Sequence, residues 1–118
     1  MGIYKTNSVK NWYYKNGNLR RQVYYNNGKK ELVYKKYYED GGLCFINNFK
    51  NGKRDGVSEL YYKNGNLKKE ANYKDGKECG AIKDYCEKGN LKKEANYKDG
   101  KRKGFYTYYY EKGELQIP

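Results

Sequence analysis

The chain has 118 residues, of which 36% are hydrophobic and 34% charged, and its formal net charge is +12. This length is typical of one domain spanning residues 1–118, and the low apolar content excludes a thick two-layer core. High charge often indicates disorder, but 17 tyrosines, 3 phenylalanines and one tryptophan at regular intervals predict an ordered, tyrosine-rich structure.

The predicted elements are short strands separated by glycine turns. After a leading cap at residues 1–8, residues 9–14 are predicted as a strand, Asn16-Gly17 as a turn and residues 19–25 as the returning strand. The same succession of elements continues along the chain and ends with a strand at 114–117. The turns alternate between two short spacings, which leave no room for the crossovers that parallel strands need.

One spacing organises these elements, because residues 65–77 recur letter for letter at 89–101. A fixed period of this length is typical of repeat architectures. Four series share the period: Gly17, Gly41, Gly65, Gly89 and Gly113; Gly28, Gly52, Gly76 and Gly100; Leu19, Leu43, Leu67, Leu91 and Leu115; Tyr13, Tyr37, Tyr61, Tyr85 and Tyr109. The predicted units are 9–31, 32–55, 56–79, 80–103 and a partial unit at 104–118.

The turn sequences predict hairpins. Asn-Gly and Asp-Gly pairs favour type I′ turns, in which both central residues have positive φ. The predicted fold is therefore all-β, a single-layer, curled antiparallel meander of about nine or ten strands built from 24-residue hairpin repeats. Gly56, Gly80 and Gly104 recur inside strands at the same period, and such glycines indicate bulges that let the sheet bend.

A two-residue loop at Asn64-Gly65 would place Tyr62 opposite Leu67 and Tyr61 opposite Lys68. Alternation then gives an expected core side of Leu60, Tyr62, Leu67, Ala71, Tyr73, Ile82 and Cys86. The expected wetter side holds Val57, Glu59, Tyr61, Lys68, Glu70, Asn72, Ala81 and Tyr85. A loop longer by one residue would invert part of this assignment.

The residues carry a family resemblance over about 9–115. The pattern is Gly56-x-x-x-x-Tyr61-Tyr62-x-Asn64-Gly65-x-Leu67, followed by Tyr73-x-Asp75-Gly76-Lys77-x-x-Gly80. It resembles the MORN repeat, in particular the bacterial second variant found in YwqK-family antitoxins. The resemblance implies an elongated curled sheet that contacts proteins, associates with membranes or phosphoinositides, or neutralises a partner toxin. The chain departs from the pattern at Ser8 and Leu32, which replace the strand glycine, at Cys86, which replaces the second tyrosine, and throughout its irregular second unit.

The composition predicts neither an enzyme nor a cofactor or metal site. Histidine is absent, the few hydroxyl side chains have no neighbouring base, and no glycine-rich phosphate loop precedes a helix. Cys44, Cys79 and Cys86 are odd in number and lack zinc-ligand spacing, which favours a reducing compartment. We expect a cytoplasmic protein, or an exported one if a signal has been removed before Met1. No apolar run is long enough to cross a membrane.

Binding is the function that remains, in two alternative forms. A protein partner, such as a toxin or effector, would use tyrosines as rigid anchors on a repeating surface. Alternatively, tyrosine and lysine together would bind an anionic membrane surface or, less favoured, a nucleic acid, since arginine is scarce. In both forms the candidate partner-binding residues are Tyr13, Arg20, Tyr37, Tyr61, Lys68, Tyr85, Lys92 and Tyr109. The expected pairs across strands are Tyr13 with Arg20, Tyr61 with Lys68, and Tyr85 with Lys92.

The origin of the positive charge stays open at this level. A net charge of +12 is consistent with a polyanionic partner. Lysine, asparagine and tyrosine also have AT-rich codons, so an AT-rich genome would produce the same bias without such a partner. The same tyrosine–lysine pairs would also stabilise an ordinary sheet.

Overall fold

The computed structural model describes residues 7–109 and 115–116, which form one open antiparallel sheet with no helix. Its strands are β1 (Asn7–Tyr13), β2 (Leu19–Asn26), β3 (Glu31–Tyr37), β4 (Leu43–Lys50), β5 (Lys53–Tyr61), β6 (Leu67–Lys74), β7 (Lys77–Glu78), β8 (Gly80–Tyr85), β9 (Leu91–Lys98), β10 (Lys101–Tyr109) and β11 (Leu115–Gln116). They pair in chain order, except that β6 contacts both β7 and β8. The predicted all-β, single-layer meander is confirmed. The predicted cap and last strand lie partly outside the described residues.

The strand glycines explain why the sheet has eleven strands where nine or ten were expected. Gly80, with a φ of 73°, is the first residue of β8 and follows the break at Cys79 that separates β8 from the two-residue β7. Gly56 and Gly104 also have positive φ, 98° and 83°, and lie where β5 and β10 slip in register against their neighbours. The predicted bulges are therefore confirmed. Leu32 replaces this glycine in β3, and there the strand pairs with β2 without a slip.

The two series of turns differ in type. Asn51-Gly52, Asp75-Gly76 and Asp99-Gly100 have positive φ at both residues, as predicted for type I′. At the other series the prediction of a two-residue loop is wrong. Gly65 N–H donates to the Tyr62 carbonyl at 3.0 Å and Tyr62 N–H to the Asn66 carbonyl at 2.8 Å, which defines a three-residue loop ending in a bulge. Asn64 Oδ1 accepts the N–H of Asn66 at 2.9 Å and so stabilises the longer loop.

The turn at Asn27-Gly28 also differs from its prediction. Asn26 pairs with Glu31, so four residues form the loop, and the non-glycine residue with positive φ is Lys30, at 53°. The type I′ turn expected there is therefore wrong, although the hairpin itself is present.

The longer loops change the register that follows them. Leu60 pairs with Lys69 but Tyr61 pairs with Leu67, so Lys68 is an extra, bulged residue. The predicted pairs Tyr61–Lys68 and Tyr62–Leu67 are wrong for this reason. The same slip recurs where Tyr13 pairs with Leu19 and Tyr85 with Leu91, so Arg20 and Lys92 are bulged residues as well.

Direct pairing defines the two faces of the sheet. One row crosses the strands through Trp12, Arg21, Lys36, Phe45, Leu60, Lys69, Asp84, Lys93 and Tyr108. We call the side that carries this row the aromatic face. The opposite face carries the neighbouring row Asn11, Gln22, Lys35, Ile46, Glu59, Glu70, Lys83, Glu94 and Thr107.

The core is thin and lies on the aromatic face. Its buried hydrophobic residues are Val23, Ala71, Ile82 and Ala95, which are 6%, 3%, 5% and 2% exposed. Each is two positions from a member of the aromatic-face row, so it points to the same side. The expected core side is confirmed for Leu60, Ala71, Tyr73 and Ile82. The molecule measures 60 × 38 × 13 Å, and no second layer of described residues covers this face.

Candidate binding face

The aromatic face carries an excess of cations. Its charged side chains, assigned by direct pairing and alternation, are Lys10, Arg21, Lys36, Arg54, Lys69, Lys93 and Arg102, against Glu78 and Asp84. The middle row of the opposite face instead holds Glu59, Glu70 and Glu94 beside Lys35 and Lys83. Within the middle row of the aromatic face, Arg21, Lys36, Lys69 and Lys93 stand against Asp84 alone, so the middle rows of the two faces, and not the faces as a whole, differ in charge.

Arginine on the first strands is held over aromatic rings. Arg21 pairs directly with Trp12, and its guanidinium carbon lies 4.1 Å from the centroid of that ring. The Tyr34 ring lies 6.0 Å away on the other side. Cation–π attraction acts within about 6 Å of a ring centroid and fixes the cation without neutralising it. Arg21 is therefore positioned with its charge retained.

The middle and last strands repeat this arrangement. Arg54 lies 5.1 Å from the Tyr73 ring and donates a hydrogen bond of 3.2 Å to its hydroxyl. Lys93 Nζ lies 4.4 Å from the Tyr106 ring, and the Arg102 guanidinium carbon lies 3.9 Å from the same ring. These side chains are consequently ordered before any partner arrives, which lowers the entropic cost of binding.

Two grooves open on the aromatic face beside β4. The first has a volume of about 470 Å³, and its walls include Tyr25, Leu32, Tyr34 and Phe49. The second has a volume of about 290 Å³, and its lining combines the charged residues Arg54, Glu59 and Lys69 with Phe45, Asn47, Ser58, Leu60, Ala71 and Tyr73. Ligand clefts commonly measure about 300–1,000 Å³, so the first groove is large enough to receive a partner's side chains.

A ladder of tyrosine hydroxyls connects the loop tips of successive repeats. Tyr14 donates to the Tyr37 carbonyl at 2.6 Å, Tyr38 to the Tyr61 carbonyl at 2.6 Å, and Tyr62 to the Tyr85 carbonyl at 2.7 Å. Asn64 and Asn66 both donate to the carbonyl of Glu87, at 2.9 and 3.0 Å. Tyr62 and Cys86 therefore belong to the loop tips, outside the strand pairing that assigns residues to a face, so their expected place on the core side stays a prediction.

The predicted partner-binding residues are spread over exposed and half-buried positions. Tyr13 is 58% exposed, and the bulged residues Arg20, Lys68 and Lys92 are exposed, whereas Tyr37, Tyr61, Tyr85 and Tyr109 are half-buried. The expected tyrosine–cation pairs do not form, since Lys68 Nζ lies 5.4 Å from the Tyr62 ring instead. Burial raises the pKa of Tyr61 above its ordinary value of 10.0, and the nearby carboxylates of Glu59 and Glu70 raise it further. The role of these residues in binding stays a prediction.

Sequence reasoning missed the cation–aromatic clusters because it assigned the apolar side of the sheet to the core. In a single layer none of the described residues packs against that side, so the core face is also the available surface. The signal was present in Trp12 and Arg21, which fall shortly before and shortly after the same turn on adjacent strands.

The described residues offer little for other chemistry. They contain no group of three or more His, Cys, Asp or Glu side chains that could hold a metal ion. Cys44, Cys79 and Cys86 are free thiols and half-buried. No helix suited to crossing a membrane occurs in this part of the chain.

An open repeat sheet with an ordered, uncovered face defines a repeat-based binding scaffold. The sequence signature of the MORN repeat variant matches residues 9–29, 30–51, 54–75 and 78–99, most of the chain. The chain belongs to the MORN repeat family, whose repeats form a non-catalytic binding module. No curated protein matches it.

Proposed function

We propose that this protein is a non-enzymatic scaffold whose aromatic face binds an acidic patch on a partner protein. The observation that carries the proposal is the set of cations held over aromatic rings on the uncovered face, exemplified by Arg21 over Trp12 at 4.1 Å. Tyrosine, tryptophan and arginine are enriched at protein interfaces, where they supply large contact areas and directed hydrogen bonds. Their distribution across the sheet suits an extended contact.

A narrower form of the proposal makes the partner a toxin that this chain neutralises. The resemblance of the repeat pattern to YwqK-family antitoxins supports it. The form is tested by expressing the identified partner in a host cell with and without this chain. Growth arrest that the chain relieves supports the antitoxin role, and a partner that is harmless alone contradicts it while leaving the scaffold proposal intact.

The scaffold proposal is tested with two matched triple variants. One replaces Lys36, Lys69 and Lys93 on the aromatic face by glutamine, and the other replaces Lys35, Lys83 and Lys103 on the opposite face. Both remove three charges. The partner is captured from source cells with the full chain, purified, and titrated against each variant by calorimetry.

We expect the aromatic-face variant to bind about tenfold more weakly, because each interface ion pair contributes up to about 1 kcal/mol and tenfold corresponds to about 1.4 kcal/mol. The opposite-face variant should bind like the parent protein. Equal losses in both variants would show that only net charge matters. Sub-micromolar binding of single-stranded nucleic acid or anionic vesicles at physiological salt, lost in the aromatic-face variant, would replace the protein partner with a polyanion.

A further inference from the structure

The second repeat departs from its neighbours at two places on the aromatic face. Phe45 occupies the position that Arg21, Lys69 and Lys93 hold in the other repeats, at the period shared by the glycine and leucine series. Leu32 occupies the position of the strand glycines, exemplified by Gly56. Both substitutions add apolar surface to a face that is otherwise rich in cations.

Leu32 lines the first groove, and Phe45 lines the second. Leu32 pairs directly with Tyr25 on one side and with Phe49 on the other, so the three side chains stand in one row. The rings of Tyr34 and Phe45 meet at 5.4 Å with a 45° tilt. The result is an apolar recess in the repeat where Leu32 replaces the strand glycine and Phe45 replaces the cation of the other repeats.

The second groove adjoins this recess and is polar. Arg54 pairs directly with Phe49, and Lys69 pairs with Leu60. Ser58 and Glu59 also line this groove, and the Ser58 hydroxyl is buried, so it is not exposed to a ligand. Arg54 and Lys69 are two cations that a carboxylate could pair with, in a groove that Glu59 also lines.

We propose that the two grooves bind one linear acidic segment of the partner protein. An aromatic or leucine side chain of that segment enters the recess formed by Tyr25, Leu32 and Phe49, and a carboxylate of the segment is bound by Arg54 and Lys69. The proposal rests on the proposed scaffold function and names the chemistry of its partner. The recess supplies the apolar anchor that dominates an interface, and the cations fix the direction of the segment.

The strand spacing sets the distance between the two features. Leu32 is on β3, Arg54 on β5 and Lys69 on β6, two to three strands further on. Strands lie about 4.8 Å apart, so Leu32 and Arg54, which share one row, are separated by about 10 Å, and Lys69 lies one strand further on and about four residues along it. An extended segment rises about 3.3 Å per residue, so the apolar residue and the carboxylate should be three or four positions apart.

The probe is a phage-displayed library of random twelve-residue peptides, selected on the immobilised full-length protein. We expect enriched peptides to carry an aromatic or leucine residue three or four positions from Asp or Glu. Synthetic copies are then titrated by fluorescence anisotropy against the parent protein and two single variants, Phe45→Lys and Ile46→Lys. Both variants add one charge to β4, but Ile46 belongs to the row of the opposite face.

Phe45→Lys should weaken the peptides at least tenfold although it makes the protein more basic, and Ile46→Lys should leave affinity unchanged. Lysine at residue 45 restores the residue type of the other repeats, so we expect the fold to persist. If the variant does not fold, Leu32→Ser, which copies Ser8 at the equivalent position, removes a wall of the recess and should give the same loss.

Equal or tighter binding by Phe45→Lys, failure to enrich any peptide, or enrichment of acidic peptides without the apolar residue would each overturn the inference. The scaffold proposal is judged separately, by the lysine-to-glutamine variants and the natural partner. A partner that depends on Lys36, Lys69 and Lys93 but not on Phe45 would contradict the linear-segment inference and leave the scaffold function standing.

Discussion

Replacing Tyr38 by phenylalanine removes one hydroxyl that ties successive repeats together and leaves the ring in place. The Tyr38 hydroxyl donates to the Tyr61 carbonyl at 2.6 Å across 23 residues of sequence. A neutral intramolecular hydrogen bond contributes about 0.5–1.5 kcal/mol net, so Tyr38→Phe should lower the free energy of unfolding by about 1 kcal/mol. Equivalent rungs lie about 10 Å apart, two strands along the sheet, so their losses should add.

Urea denaturation followed by far-ultraviolet circular dichroism measures this loss. The matched control is Tyr37→Phe, because the neighbouring Tyr37 hydroxyl makes no hydrogen bond within the described part of the chain and its removal should cost less than about 0.5 kcal/mol. The triple phenylalanine variant at Tyr14, Tyr38 and Tyr62 should lose about 3 kcal/mol. Equal effects of Tyr38→Phe and Tyr37→Phe would refute the view that the ladder couples the repeats.

The ladder also predicts that a tyrosine at residue 86 stabilises the protein. Cys86 occupies the next rung position but has no hydroxyl to donate. Tyr109 follows Cys86 at the same separation in sequence that joins the other rungs. Cys86→Tyr should therefore add about 1 kcal/mol relative to Cys86→Phe, which supplies the ring alone. A tyrosine variant no more stable than the phenylalanine variant would confine the ladder to the first three rungs.

Three further measurements follow from burial, backbone conformation and ionisation. Ile82→Ala should cost about 2 kcal/mol, at the low end for a buried isoleucine because the sheet is open on one side, while the 51%-exposed Val9→Ala should change stability by less than about 0.5 kcal/mol; similar losses would contradict the assigned core. Gly56→Ala should lower the free energy of unfolding by about 1–2 kcal/mol, because the φ of residue 56 is 98°. Gly42 has no positive φ, so Gly42→Ala should not destabilise the protein, and equal losses of stability in the two variants would refute the strain argument. The raised pKa of Tyr61 contributes stability that is present below pH 10.0 and is lost as pH rises through the folded-state pKa. Tyr61→Phe should therefore reduce the decrease in the free energy of unfolding that urea denaturation measures at alkaline pH. An unchanged decrease would contradict this reasoning.

Much of the fold follows from the sequence because glycine and alternation act locally. The recurring glycines predicted the hairpins, and Asp75-Gly76 formed the type I′ turn that its two residues favour. Gly56 and Gly80 marked real irregularities for the same reason, since positive φ is accessible to glycine at little cost. Local chemistry of this kind needs no knowledge of distant contacts.

The register near the loops could not be predicted in the same way. Asn64-Gly65 carries the same two residues as a type I′ turn, but Asn64 also bonds to the N–H of Asn66, and the tip reaches the next repeat through Asn66 and Tyr62. These tertiary bonds favour the three-residue loop, and the resulting bulge moved Leu67 opposite Tyr61. The conformation of one short loop thus changed the pairing of the candidate tyrosines beside it.

The aromatic face was not predicted as a candidate binding surface because a single-layer sheet removes the usual division between core and surface. In a two-layer protein, Leu60 and Ala71 would be covered and only the other side would meet a partner. Here the same side buries its small residues between larger neighbours. It also carries the contact between Trp12 and Arg21, which no second layer of described residues covers. Apolar patterning therefore identified the core face correctly, but it did not show that no second layer of described residues covers this face.

Repetition and recognition make opposite demands on this chain. A regular repeat gives every strand an equivalent neighbour, so identical residues such as Ala71 and Ala95 can stabilise successive units in the same way. A surface built only from identical units would also offer a partner several equivalent registers, each with the same affinity. Phe45 and Leu32 break that equivalence on the aromatic face without breaking the hairpins, so they mark one position on the sheet at which a partner can be bound in a single register.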